Sequence, residues 1–185
     1  MDNGASSYRR FLDGEDDSFV EIIKEYKDGL MLYLNRYVKN IHIAEELMED
    51  TFAKLVVRKP RFSGKSSFKT FLYAIGRNIA VDYLRKTAKL PLVSAEELSL
   101  LLRDEADVER EYLREEQKIL VHKALNHLNP EYSRVLYLSY FEDFTIKETA
   151  NILKKSYKQT ENLLYRAKLS LRTQLIKEGF VHEKL

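Results

Sequence analysis

The chain has 185 residues, 44% hydrophobic and 32% charged, a globular composition long enough for one domain or two small ones and unlike that of a disordered chain. It contains no cysteine, which excludes disulfides, thiolate nucleophiles and cysteine-ligated zinc or iron–sulfur centres. With 31 basic against 29 acidic residues the net charge is only +2, so affinity for a polyanion has to come from how the charges are distributed.

The first residues, Met1 to Ser7, are polar, and the longest apolar run nearby is Leu30 to Leu34. Neither a signal peptide nor a membrane span is predicted, and the expected location is cytoplasmic. Ser18 with Glu21 has the form of a capping box, opening a stripe of Phe19, Ile22, Ile23, Tyr26, Leu30, Tyr33, Leu34 and Tyr37 that Gly29 is expected to break into two helices. A second stripe, Ala44, Leu47, Met48, Thr51 and Leu55, stops at Pro60. A third, Phe68, Phe71, Leu72, Ile75 and Ile79, follows the loop Ser63 to Ser67. Beyond Pro91 helical patterns resume at Ala95 to Leu102 and Val108 to Leu128, and Asn129-Pro130 then reads as an N-cap with proline at the first helical position before three more helices. No segment alternates as a strand would. The expected fold is all-α, with helical domains at 1–88 and 108–185 joined by an acidic linker at 89–107. Domains of that size bury only about 60% of their unfolded surface, so docking onto a partner is expected to help hold them.

Charge follows the same division. Lys54 to Lys89 carries ten bases against the single acid Asp82; Ser94 to Glu116 carries nine acids against three bases; Lys154 to Lys177 carries seven bases against Glu161 alone. One such block is an ordinary solvated helix face, whereas two basic blocks around an acidic spacer point to a polyanionic partner.

The last basic block lies on a recognisable motif. Thr145 and Glu148 form a capping box that starts a short helix, Lys154-Lys155 makes a turn, and Ser156 with Gln159 forms a second box that opens a longer helix with Thr160, Leu163, Leu164, Ala167, Leu171 and Leu175 inward. This is helix-turn-helix spacing, with the small Ala150 where the helices cross. Tyr157, Lys158, Glu161, Asn162, Tyr165, Arg166 and Lys168 are left on other faces, where Asn can pair with adenine and Arg or Lys with guanine or phosphate. Two capped helices joined by a turn also occur in bundles that touch no nucleic acid.

Catalysis has little support. His42, His122, His127 and His182 share no ligand spacing, Gly64-Lys65-Ser66 lacks the preceding glycine of a phosphate loop, and no nucleophile has an evident base. No catalytic residue, metal, cofactor or small-molecule substrate is expected.

Three stretches together, Ala44 to Leu55, Phe68 to Lys86, and the series Ala124 to Glu131, Arg134 to Leu136, Tyr140 to Thr145 and Tyr165 to Lys168, resemble regions two and four of a bacterial sigma factor, in order and spacing. More narrowly, the chain resembles the small two-domain sigma factors of the extracytoplasmic-function group. The resemblance implies a dissociable subunit that gives core RNA polymerase its promoter choice, with promoter DNA, duplex and melted, as its other partner and an anti-sigma factor as a further one. It assigns Glu45, Glu46, Glu49 and Asp50 to the polymerase contact. It assigns Asn78 and Asp82, with Phe62 and Ser66 of the loop, to reading the minus-ten element, and Arg61, Lys65, Lys69, Arg77, Arg85 and Lys86 to phosphates. Melted bases need aromatic or polar pockets beside cations. Tyr73 is therefore expected to be exposed for stacking, and Phe68, Phe71 and Leu72 to be core. The minus-thirty-five element would be read from Thr145, Ser156, Tyr157, Lys158, Gln159, Glu161, Asn162, Tyr165, Arg166 and Lys168. Lys154 stands where family members often have glycine, and Glu161 where a base is common; Glu161 either accepts from a cytosine amino group or repels phosphate. The rival reading is a helix-turn-helix regulator that binds duplex DNA without polymerase.

Overall fold

Eight α-helices make up residues 2–88 and 116–177, the part of the chain described by the computed structural model, and no strand occurs among them. The first helix, α1 (Asn3–Leu12), is not anticipated by the sequence pattern; Asp2 caps it by accepting from Ala5 N at 3.1 Å, and Tyr8 and Phe11 lie on its buried face. Helix α2 (Asp17–Val38) is continuous, contrary to the break expected at Gly29. The glycine is needed for space rather than for a turn, because a Cβ there would collide with the Glu142 carboxylate and lie 2.7 Å from the Tyr73 hydroxyl. The Ser18–Glu21 capping box is not formed either. Ser18 is already helical and donates to Glu15 O, while Glu21 accepts from Ser7 and Arg10 and so ties α2 to α1.

Helix α3 (Ile41–Arg58) is capped by Asn40 and α4 (Phe68–Thr87) by Ser67, each side chain accepting an amide three residues on. Leu30 and Leu34 of α2, Leu55 of α3, and Phe68 and Leu72 of α4 are fully enclosed, with Phe71 half-buried beside them, as the third stripe predicts. The second half comprises α5 (Glu116–Asn126), α6 (Pro130–Tyr140), α7 (Ile146–Leu153) and α8 (Tyr157–Lys177), and the three helices expected after Asn129-Pro130 are α6, α7 and α8. Both expected capping boxes form: Thr145 N donates to Glu148 Oε2 at 3.1 Å, and Ser156 N donates to Gln159 Oε1 at 2.8 Å.

The two halves share one core. α2 packs on α6 and α4 on α7, and an aromatic cluster crosses the junction, with Tyr33 and Tyr73 of the first half against Tyr137 and Phe144 of the second. Each marginal half therefore finds its docking partner in the other. The expected linker at 89–107, the helix at 95–102 and the helix end near Gly179 lie outside the described residues.

Candidate nucleic-acid and polymerase interfaces

Helices α7 and α8 are joined by Lys154, which adopts the left-handed conformation at φ 54° and donates its amide back to α7. The tight turn that usually favours glycine is thus made by a lysine. Ala150 and Thr149 of α7 and Thr160, Leu164 and Ala167 of α8 are buried, which fixes α8 with its opposite face outward. On that face Tyr157, Lys158, Glu161, Asn162, Tyr165 and Arg166 are all exposed, Tyr165 to 65%. Lys168 is also exposed but lies further round the helix, with its ammonium over the Tyr140 ring at 5.4 Å from the centroid. Thr145, Ser156 and Gln159 are occupied as caps, so their first role is to fix the two helix N-termini.

The basic segment around α4 divides across two faces. Lys69, Tyr73 and Arg77, four residues apart, point toward the second half, whereas Asn78 and Asp82 lie on another face, with Arg85 and Lys86 exposed at the helix end. Asn78 is half-buried and Asp82 pairs with Arg85 at 3.6 Å. Tyr73 corrects the sequence expectation: it is fully buried, and its hydroxyl donates to Glu142 Oε2 at 2.7 Å. Burial, reinforced by the Glu142 carboxylate, pushes its phenol well above the ordinary value, so it remains a neutral donor. Lys69 also meets Glu142, donating to its backbone carbonyl at 2.9 Å and pairing with its carboxylate at 2.8 Å.

Arg61 and Lys65 are exposed on the loop before α4, and Ser66 is half-buried. Phe62 is half-buried because its ring packs edge-on against Phe68 and tilts against Phe71, making it an anchor for the loop. Tyr8 adds a second anchor, donating from its hydroxyl to Pro60 O at 2.9 Å. Together with Arg9, Phe62 and Gly64 it lines a 170 Å³ hollow beside the loop. Arg9 and the rest of α1 are absent from the site expected on sequence grounds; Tyr8 and Phe11 at helical spacing behind the capping Asp2 are the signal that could have found them.

On α3, Glu45, Glu46, Glu49 and Asp50 are all exposed, and the same helix continues into Ala53 and Val57, the latter 76% exposed. The acidic face thus carries apolar area at its C-terminal end, the mixture found in protein interfaces.

Residues 22–90 match the family described as Sigma-70 region 2, and residues 118–171 match Sigma-70, region 4. The chain belongs to the sigma-70 family of RNA polymerase sigma factors. Curated relatives place it in the extracytoplasmic-function group. It is 27% identical over 162 residues to RNA polymerase sigma factor YlaC of Bacillus subtilis, covering 87% of this chain and 94% of that protein. It is 25% identical over 170 residues to the ECF RNA polymerase sigma factor SigW of the same organism, covering 88% and 91%. Solved structures share the fold at 18% identity: CnrH in complex with the cytosolic domain of CnrY, with a TM-score of 0.63 over 95% of this chain and 96% of that one, and the sigma factor RpoE in complex with the anti-sigma factor NepR from Bartonella quintana, with 0.64 over 85% and 96%. In this sigma factor, then, region two comprises α2 to α4 with α1 packed on it, and region four α5 to α8. Among the described residues no helix is long and apolar enough to cross a membrane and no cluster of candidate metal ligands occurs.

Proposed function

We propose that this sigma factor carries core RNA polymerase to its promoters by reading the minus-thirty-five element with the exposed face of α8 and the minus-ten element with α4 and the loop before it. The outward set Lys158, Glu161, Asn162, Tyr165 and Arg166, held rigid on a capped helix, is the observation that carries the reading. Its domains would be region two at 1–88, a linker at 89–107 and region four at 108–185. The acidic face of α3 is the polymerase contact, and an anti-sigma factor is a further partner, by analogy with the relative solved with NepR. The work is cytoplasmic and requires no chemistry of the chain's own. Run-off transcription with purified core enzyme on genomic DNA of the source organism tests this: discrete transcripts that depend on the chain are expected. Duplex-DNA binding without polymerase binding would favour the regulator reading.

Within that assignment Arg166→Ala is expected to lower promoter affinity by about 1–3 kcal/mol if the guanidinium reads a base, and chiefly to flatten the dependence of log K on log salt by about one if it holds a phosphate. Titrations at several salt concentrations separate the two, and unchanged affinity and slope would remove Arg166 from the interface. Asn78→Ala is expected to reduce promoter opening more than polymerase binding, because the amide would meet an unpaired base. Permanganate footprinting reads the bubble directly, and a normal bubble would exclude that role.

A further inference from the structure

Helix α1 precedes the residues matched to region two, yet it holds both ends of the loop 59–67 that leads into α4. At the far end Asp2 accepts from two helix starts at once: Oδ1 takes the Ala5 amide at 3.1 Å and Oδ2 the Phe68 amide at 2.7 Å. The first amides of a helix have no partner within it, and a carboxylate is a favoured acceptor there. Ser67 takes the Thr70 amide of the same turn, so the start of α4 is capped both by a local side chain and by one from α1. At the near end the Tyr8 hydroxyl donates to Pro60 O at 2.9 Å, and the Lys59 ammonium lies 5.0 Å from the centroid of the Phe11 ring.

The packing around these contacts is tight. Tyr8 is 1% exposed and its ring lies 5.2 Å from that of Phe68 and 6.3 Å from that of Phe71. Burial pushes its phenol up to about 12, so the group is a neutral donor. Gly4 lets α1 come this close, since a Cβ there would lie 2.7 Å from the Phe68 ring. Between its two ends the loop exposes Arg61 and Lys65, while Phe62 turns inward onto Phe68 and Phe71. A loop pinned at both ends and at its middle has its ordering cost met on folding, so less is lost when it captures a strand.

We propose that α1 is a working part of the minus-ten reader: Asp2 and Tyr8 are positioning residues that fix the two ends of the loop, so that Arg61 and Lys65 meet the melted strand in a set geometry. This rests on the assignment of that loop to the minus-ten element. Neither positioning residue is a strand contact. Tyr8 is enclosed and Asp2 is engaged with amides, so their effect on DNA passes through the backbone at Pro60 and Phe68. Two signs separate this role from others. Losing a phosphate contact flattens the dependence of log K on log salt by about 0.7 for a single strand, whereas loosening a loop lowers affinity at constant slope. Removing the Asp2 carboxylate would, by charge alone, tighten the grip on a polyanion, so a loss of affinity there has to come from geometry.

The absence of cysteine permits a nitroxide label on the full chain at Ser63→Cys, an exposed position in the loop. Its spectrum and the binding of a mixed-sequence single-stranded 20-mer would be measured for the parent, Tyr8→Phe, Asp2→Ala and Arg61→Ala, with circular dichroism confirming the helical fold. Tyr8→Phe keeps the ring and loses only the bond to Pro60, so it tests the loop even where Asp2→Ala fails to fold. Tyr8→Phe and Asp2→Ala are each expected to narrow the nitroxide lines, the mark of nanosecond loop motion, and to weaken the oligonucleotide about three- to tenfold at unchanged salt slope. Arg61→Ala is expected to leave the lines as they are and to flatten the slope by about 0.7. Lines as broad as the parent's in both α1 variants would overturn the proposal. Narrowed lines with unchanged affinity would overturn it too, leaving α1 a purely structural helix. Unchanged affinity and slope in Arg61→Ala would instead overturn the minus-ten assignment of the loop, and the positioning role with it.

Discussion

Phe68→Ala is expected to destabilise region two by about 3–5 kcal/mol, the range for emptying a fully enclosed phenylalanine site. The ring is completely buried, with centroids of Tyr8, Tyr26, Phe62 and Phe71 at 5.2, 5.9, 5.7 and 6.0 Å. Its removal opens a cavity that four aromatic side chains on α1, α2, α4 and the preceding loop cannot easily close, because two of them are held elsewhere: Tyr8 by Pro60 O, Phe62 by Phe71. A loss of that size is a large share of the stability of a domain this small. Urea unfolding followed by circular dichroism should show a lower midpoint at an unchanged slope. A midpoint within the error of the parent would mean that the site collapses, and that the loop is not anchored as described.

Phe68 is legible in the sequence because its burial is local: a period of three and four residues places it on the inner stripe of its own helix, and the structure agrees. Tyr73 is not, because its burial comes from far along the chain. It stands one turn past Lys69 with its ring on Tyr33 of region two, and the arrival of Glu142 and Phe144 from the other half completes its burial. Gly29 misleads for the same reason, since low helix propensity suggests a break while the requirement is space for a carboxylate more than a hundred residues away. The helix-turn-helix is readable down to its caps, because at Thr145–Glu148 and Ser156–Gln159 the three-residue spacing coincides with a true helix start, whereas Ser18 and Glu21 have the same spacing inside a helix already begun. The positions of Glu45 to Asp50 are readable too, but the apolar area at Val57 that extends their face is not, since a valine in a helical run carries no signal of exposure without the surrounding surface.

That combined face sets the last expectation. If α3 is the polymerase contact as proposed, reversing Glu49 and Asp50 to lysine should weaken binding to core RNA polymerase by about 10- to 100-fold, about 1.4–2.8 kcal/mol, because acidic side chains facing a basic surface would become like charges opposed to it. Both side chains are exposed, and no hydrogen bond or ion pair among the described residues holds either of them within the fold, so the reversal should leave the unfolding midpoint close to that of the parent. Region-four duplex binding should be unaffected, because α8 lies on the other half. The loss should shrink as salt rises, since exposed charges are screened within about 8–10 Å, whereas a loss caused by misfolding would persist. Co-elution with core enzyme at two ionic strengths measures both. Undiminished binding at low salt would make the acidic face of α3 an ordinary solvated surface and move the polymerase contact elsewhere on region two.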